Sequence, residues 1–402
     1  MRYGFAKRVQ HLQSSAVRDI LKITNKGDVI SFAGGLPDDE LFPVEAVQHA
    51  FTKTFESGGK AFQYDATEGY APLREVLVDR MGKKGIASSV DDIMLTTGSQ
   101  QAIDLFARVM FNPGDIVLTE NPTYLAAVQV FQSYEVKIIP VETDEHGMVP
   151  EDLDDKMKKY KPKCVYVVPT FSNPMGKVWS LERRQHLLET AIQKKVIIFE
   201  DDPYGEIKFD SSQTYTPISA LDDGSHTVYT STFSKTVVPA LRTGWIKGPH
   251  QIIRIMAQAK QAADLHSNSL AHHALYHLCT DFDLNGHIKN LRRTYYDRMK
   301  VMQRLLDQAE LPGLSYTVPK GGMFFWVELP EDIDTTLLLN TAVKKGAAYV
   351  PGAPFYVADA KQNTMRLNFT HSTQDKIEKG MGILVEVFQE AASMEHEYQK
   401  TN

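Results

Sequence analysis

The chain has 402 residues, 43% hydrophobic and 23% charged, with a formal net charge of −6. That length accommodates a large domain plus a smaller one, and that balance excludes disorder as the main state. The dispersed charge lacks the basic stripe that nucleic-acid binding requires, and no apolar run approaches the ~18 residues of a membrane-spanning helix.

Two cysteines, Cys164 and Cys279, are too few for a disulfide framework in a chain this long. Cys164 opens the apolar run Cys164–Val168 and reads as a small buried hydrophobe. Met1 to Gln13 is polar and lacks the apolar core of a signal peptide, so the expected compartment is the cytoplasm. The lysines at 156, 158, 159, 161 and 163 follow Asp152, Asp154 and Asp155, and read as a solvated helix end.

In chain order, Val17, Ile20 and Leu21 at helical spacing predict a short amphipathic helix over 15–24. Phe32-Ala33-Gly34-Gly35-Leu36-Pro37 is turn-rich, a place where backbone bends or approaches something closely. Helices are predicted over 43–55 and 72–82. From residue 92 the pattern becomes regular. Strands at 93–96, 116–118, 136–141, 165–168, 196–199 and 227–230 alternate with helices at 100–110, 124–132 and 181–194. Short, nearly all-apolar strands between helices indicate a parallel sheet buried on both faces. After Gly248 long helical stretches take over, with 292–306 the strongest. The end reads strand 324–328, helix 335–345, strand 348–350, strand 365–369 and helix 373–392, a smaller α+β unit. There is no internal repeat.

In open α/β sheets ligands bind beyond the carboxyl ends of the strands. Strand 93–96 leads into Gly98-Ser99-Gln100 at a helix start, and strand 165–168 into Asn173-Pro174-Met175-Gly176. Strand 196–199 leads into Glu200-Asp201-Asp202-Pro203-Tyr204, and strand 227–230 into Ser231-Thr232-Phe233-Ser234-Lys235, then Arg242. Each piece alone has an ordinary explanation: a helix cap, a turn, a solvated acidic loop, a surface lysine. Together, each at a strand end, they form a constellation suited to a phosphorylated aromatic cofactor. Neither a G-x-G-x-x-G fingerprint nor a Walker A motif offers a competing phosphate site.

These stretches, with Ala33–Pro37, Gln63-Tyr64, Asn121-Pro122-Thr123-Tyr124, Arg242-Thr243-Gly244-Trp245 and Met365-Arg366-Leu367, closely resemble the fold type I pyridoxal-phosphate enzymes of aminotransferase class I/II. The Gly-Gly-Leu-Pro and Gly-Ser-Gln-Gln spellings resemble most the branch of 2-aminoadipate and kynurenine aminotransferases. The resemblance implies an α/β fold. Its large cofactor-binding domain, at 43–285, has a mostly parallel seven-stranded sheet flanked by helices. A smaller α+β domain is built from 1–42 and 286–402.

It also implies a cofactor, pyridoxal 5'-phosphate, and roles for particular residues. Lys235 would carry the cofactor as a Schiff base and, once displaced by substrate, move a proton between the substrate Cα and cofactor C4′. Asp201, chosen over Asp202 by the family's Asp-x-x-Tyr spacing, would keep the pyridine nitrogen protonated. Tyr204 and Asn173 would hydrogen-bond the 3′ oxygen, and Tyr124 would stack on the ring. Ser99 and Gln100 at a helix start, with Thr232, Ser234 and Arg242, would hold the phosphate. Tyr64 would reach the phosphate of a neighbouring subunit, which requires a homodimer. Arg366 would bind the substrate α-carboxylate, and Gly34 and Gly35 would let backbone approach the substrate.

Two departures from the family pattern, Met175 for the usual Thr and Thr232 for a common Ser, leave the cofactor chemistry in place. Arg18, off the apolar face of the first helix, reads equally as a solvated arginine and, as the resemblance to the 2-aminoadipate branch implies, as a receptor for a distal carboxylate. In the second case glutamate/2-oxoglutarate is one substrate pair and 2-aminoadipate or an aromatic or aliphatic amino acid the other partner. The histidines 266, 272, 273 and 277 lack a metal-site pattern and are expected on interface helices. The same pocket type also serves β-lyases and decarboxylases, and related non-catalytic domains occur in transcription regulators; these stay open as alternatives.

Overall fold

The computed structural model describes residues 3–9, 18, 20, 22 and 29–401. The first predicted helix falls largely outside the described residues; Arg18, Ile20 and Lys22 within it are helical.

Thirteen strands occur among the described residues: β1 (Ile30–Ser31), β2 (Ile93–Thr96), β3 (Ile116–Thr119), β4 (Lys137–Pro140), β5 (Cys164–Val167), β6 (Ile197–Asp201), β7 (Thr227–Thr232), β8 (Gly244–Lys247), β9 (Ser315–Tyr316), β10 (Phe324–Glu328), β11 (Ala347–Ala348), β12 (Val350–Pro351) and β13 (Thr364–Asn368). A seven-stranded sheet has the order β2-β8-β7-β6-β5-β3-β4. All its pairings are parallel except the two made by β8. The residues of β2, β5 and β7 are buried throughout, because helices cover both faces and no strand residue can turn to water.

Strand β8 was not foreseen. It is a four-residue return strand whose Gly244 pairs with Thr232 and whose Lys247 pairs with Tyr229. Its direction matters for the site. Because β8 runs antiparallel, it begins at the sheet edge where its neighbours end, so Arg242 just before it lies beside the carboxyl end of β7.

The helices follow the predicted ranges within a few residues, at Val44–Glu56, Ala71–Gly82, Gly98–Met110, Leu125–Ser133 and Leu181–Lys194. Lys156, Lys158 and Lys159 belong to a helix at Pro150–Tyr160, where Lys156 pairs with Asp152 one turn earlier at 2.6 Å, while Lys161 caps its end and Lys163 lies beyond it. The long helix Leu284–Asp307 includes the predicted 292–306, and the boundary expected at 285/286 falls in its first turn.

The predicted strand 348–350 is a correction. It splits: Ala348 belongs to β11, which pairs with β1, whereas Val350 belongs to β12, which pairs with β13. A bend at Tyr349 passes the chain from one sheet to the other, and Tyr349 itself is buried with its hydroxyl donated to the Thr335 carbonyl at 2.7 Å. The four-stranded sheet has the order β12-β13-β10-β9. Its core merges Phe32 and Ala33 with Phe324, Phe325, Met365, Leu367, Met381 and Phe388, and also takes in Phe171, Tyr204 and Ile207 from loops beyond the large sheet. One apolar cluster thus ties the cofactor-side loops to the C-terminal strands, which holds Arg366 of β13 opposite the ends of β5 and β6.

Candidate active site

A cavity of about 370 Å³ opens at the carboxyl ends of β2, β5, β6 and β7. It is lined by Gly35, Ser99, Gln100, Tyr124, Asn173, Asp201, Tyr204, Thr232, Ser234, Lys235, Arg242 and Arg366. These are twelve of the fifteen site residues expected from the sequence. The other three stand outside this lining, Gly34 buried beside Gly35. Arg18 is exposed and lies outside this lining. Tyr64 is 78% exposed, its ring edge-on to His266 with centroids 5.7 Å apart.

Lys235 follows β7 in a single 3₁₀ turn, Phe233–Lys235, that Thr232 caps by accepting from the Ser234 N–H. The Lys235 Nζ donates to the Gly35 carbonyl at 2.7 Å. Burial lowers its pKa to about 8, and the positive charges of Arg366 and Arg242 act in the same direction. An ammonium held among cations without a carboxylate gives up its proton more readily than a surface lysine.

Asp201 is the last residue of β6, inside the strand rather than after it as the sequence suggested. Its Oδ2 accepts from the Tyr166 hydroxyl at 2.8 Å. Its Oδ1 is buried and has no hydrogen-bond partner among the described residues. Burial pushes the carboxyl up to about 7; the Tyr166 bond works against that rise and the neighbouring Asp202 charge adds to it. Asp202 faces away and is fully engaged. Its Oδ2 accepts from Tyr229 at 2.6 Å and from Lys84 at 3.2 Å, and its Oδ1 from the Gly205 N–H at 2.9 Å.

Arg366 sits mid-strand in β13 and is 2% exposed, with no carboxylate partner among the described residues. Its Nη1 donates to Asn173 Oδ1 and its Nη2 to the Ala33 carbonyl, each at 2.7 Å. Its Nε is buried without a partner among the described residues. The guanidinium lies 4.3 Å from the Phe324 ring centre and 5.2 Å from that of Phe355. Burial lowers its pKa to about 10. A buried cation held only by neutral oxygens and aromatic faces is a strong receptor for an anion.

The opposite end of the cavity is built for a second anion. The helix Gly98–Met110 starts there with no side chain capping its N-terminus, so its first-turn N–H groups are available. Gly98 has φ +72°, a conformation that favours glycine, and a Cβ on it would stand 2.5 Å from Arg242 Nη2 and displace that guanidinium. Arg242 Nη1 donates to Ser234 Oγ at 3.3 Å, and Thr232 Oγ1 to the same oxygen at 2.9 Å. Between the two ends, the Tyr124 hydroxyl donates to Gln100 Oε1 at 3.5 Å and Asn173 Nδ2 to the Tyr204 hydroxyl at 3.5 Å. Burial drives both phenols upward, Tyr124 to about 12, which keeps them neutral.

Sequence reasoning missed three participants. Tyr166 sits in an apolar strand run and reads as core. Phe355 lines the cavity from a turn between β12 and β13. Lys84 meets Asp202 across 118 positions of sequence. No local pattern announces any of them.

A family model described as aminotransferase class I and II matches residues 27–384. This chain belongs to that family. The aminotransferase is similar to aromatic-amino-acid aminotransferase 1 of Thermococcus litoralis, 41% identical over 393 residues that cover 96% of this chain and 94% of that one. The kynurenine aminotransferase of Pyrococcus horikoshii, solved in complex with PMP, is 43% identical with a TM-score of 0.91, covering 96% and 97% of the two chains. The alpha-aminoadipate aminotransferase of Thermus thermophilus, solved with N-(5'-phosphopyridoxyl)-L-leucine, is 32% identical with a TM-score of 0.91, covering 97% and 98%.

The chain is a transaminase, and its cofactor is pyridoxal phosphate. The cavity fits that group. Asp201 Oδ1 is an orphaned buried acceptor suited to a protonated ring nitrogen, Lys235 offers an amine of lowered pKa, and the uncapped helix start with Arg242 suits a phosphate. None of the helices among the described residues is long and apolar enough to cross a membrane.

Proposed function

We propose that this aminotransferase moves an amino group between an L-amino acid and a 2-oxo acid in two half-reactions of ping-pong type. Glutamate/2-oxoglutarate would be one pair, with 2-aminoadipate or an aromatic or aliphatic amino acid as the other partner. The observation that carries the reading is the convergence on one cavity of an amine of lowered pKa, a carboxylate oxygen unpartnered among the described residues and a buried arginine with no counter-ion among them.

Pyridoxal phosphate, when bound, supplies an aldehyde that condenses with amines and a ring that draws electrons from bonds at the amino-acid Cα. The chain's residues do the rest. Arg366 binds the substrate α-carboxylate through its fork, oriented by Asn173 and Phe324. Lys235 Nζ would move the proton between the substrate Cα and the cofactor C4′. Asp201 Oδ1 holds a proton at the ring nitrogen. Ser99, Gln100, Thr232, Ser234 and Arg242 would hold the phosphate, Tyr124 would lie against the ring, and Asn173 and Tyr204 would hydrogen-bond the 3′ oxygen. Gly35 brings backbone to the substrate and its carbonyl holds the lysine amine.

Tyr64, exposed in the single chain, would complete a neighbour's phosphate site in a homodimer. Arg18 would have to turn toward the cavity to meet a distal carboxylate. The division into 1–42, 43–285 and 286–402 and the cytoplasmic setting belong to the same reading. The test is a panel of amino-acid donors with 2-oxoglutarate, run on the protein and on Lys235→Ala. Turnover confined to the unaltered protein supports the reading; full activity in the variant overturns it.

A further inference from the structure

Asp201 divides its two oxygens between different tasks. Among the described residues Oδ1 is the orphan in the cavity, and Oδ2 is held by one group alone, the Tyr166 hydroxyl at 2.8 Å. Tyr166 lies on β5, whose residues pair with β6 in parallel register, Tyr166 opposite Phe199. It is wholly buried, packed between Phe131 at 5.6 Å and Phe199 at 5.9 Å between centroids. Its phenol is driven well above its ordinary pKa by burial, so it donates and does not ionise. Asp202 cannot share this task, because Tyr229, Lys84 and the Gly205 N–H occupy both of its oxygens.

We propose that Tyr166 is a positioning residue that fixes the rotation of the Asp201 carboxylate and keeps it ionised, so that Oδ1 faces the cofactor ring nitrogen. The inference rests on the reading of Asp201 given above. A buried carboxylate with one charge-assisted donor and one open oxygen has a single orientation. Without the donor, both oxygens are free and burial favours the neutral acid. A neutral acid is a poorer partner for a protonated ring nitrogen. Tyr166 reaches the cofactor only through Asp201, because Tyr166 itself is not part of the cavity wall.

The experiment uses Tyr166→Phe, Asp201→Asn and the double variant, each loaded with pyridoxal phosphate. A hydrogen bond to a charged group contributes about 1.5–3 kcal/mol, equivalent to a shift of roughly 1–2 pH units. Asp201 works as the ionised form, so raising its pKa moves the acid limb of the kcat profile to higher pH. Tyr166→Phe is therefore expected to shift that limb upward by about one unit or more and to weaken cofactor binding roughly tenfold, read by titrating the apoprotein. Its substrate KM should stay near the original value.

In the Asp201→Asn background, adding Tyr166→Phe should change cofactor affinity by less than about threefold, because the charge it serves has gone. A merely structural tyrosine would cost the same in both backgrounds. An unchanged acid limb and unchanged cofactor affinity in Tyr166→Phe, while Asp201→Asn disturbs both, would overturn the role of Tyr166. If Asp201→Asn disturbs neither, the reading of Asp201 itself fails.

Discussion

Arg366→Lys keeps a positive charge in the cavity and removes the fork. The guanidinium donates through Nη1 to Asn173 and through Nη2 to the Ala33 carbonyl at 2.7 Å each, and stands 4.3 Å from the Phe324 ring centre. These three contacts fix its plane, leaving the unpartnered Nε and the remaining N–H groups for an incoming carboxylate. A lysine ammonium offers one point contact where the fork offers two. Losing one charge-assisted hydrogen bond costs about 1.5–3 kcal/mol, and a weakened cation–π contact adds about 0.5–1 kcal/mol. The net loss of about 2–4 kcal/mol corresponds to a fall of roughly 30- to 900-fold in kcat/KM. Initial rates with an amino-acid donor and 2-oxoglutarate measure it, and both substrates should suffer because both carry an α-carboxylate. An amine donor without that carboxylate should react equally slowly with both proteins. A loss within about threefold for the amino acid, or an equal loss for the amine, would refute the assignment.

Three further outcomes follow from the same geometry. Lys235, with its pKa lowered to about 8, is mostly free amine above that pH; covalent capture of pyridoxal phosphate by the apoprotein should accelerate up to about pH 8 and then level off, whereas a rate still climbing at pH 10 would contradict the lowered value. Gly98→Ala strains the backbone at φ +72° and pushes the Arg242 guanidinium away from the helix start, so cofactor affinity should drop about tenfold or more, and an unchanged dissociation constant would show that Arg242 does not grip the phosphate. Arg18→Ala should raise KM for dicarboxylic donors and leave apolar donors alone if Arg18 reads a distal carboxylate; an equal effect on all donors assigns it to structure.

Much of this was legible in the sequence because catalytic groups at strand ends lie next to apolar runs whose period is easy to read. The strands from 93 to 232 and the side chains that follow them needed little more than that adjacency. Strand β8 was not legible, because Gly244-Trp245-Ile246-Lys247 has too few apolar positions to show a period and its place comes from pairing with both β2 and β7. The split at Tyr349 was hidden because Ala348, Tyr349 and Val350 are all apolar; only the presence of two sheets decides where each belongs. Tyr166 was hidden for a different reason. A tyrosine within Cys164–Val168 looks like core, and it is core along its ring; only its hydroxyl meets Asp201, 35 positions away. Asp201 itself was identified from a spacing that the resemblance supplied. Its open oxygen, and the complete engagement of Asp202, are properties of the fold.

The most direct test of the central claim uses one substrate at a time. The purified protein, loaded with pyridoxal phosphate, is mixed with an excess of an amino-acid donor that the panel identifies, and no 2-oxo acid. Transamination predicts that each cofactor is converted to its amine form with release of one equivalent of 2-oxo acid, and that the reaction then stops until 2-oxoglutarate is added. Continued release of ammonia or carbon dioxide without conversion of the cofactor would contradict it.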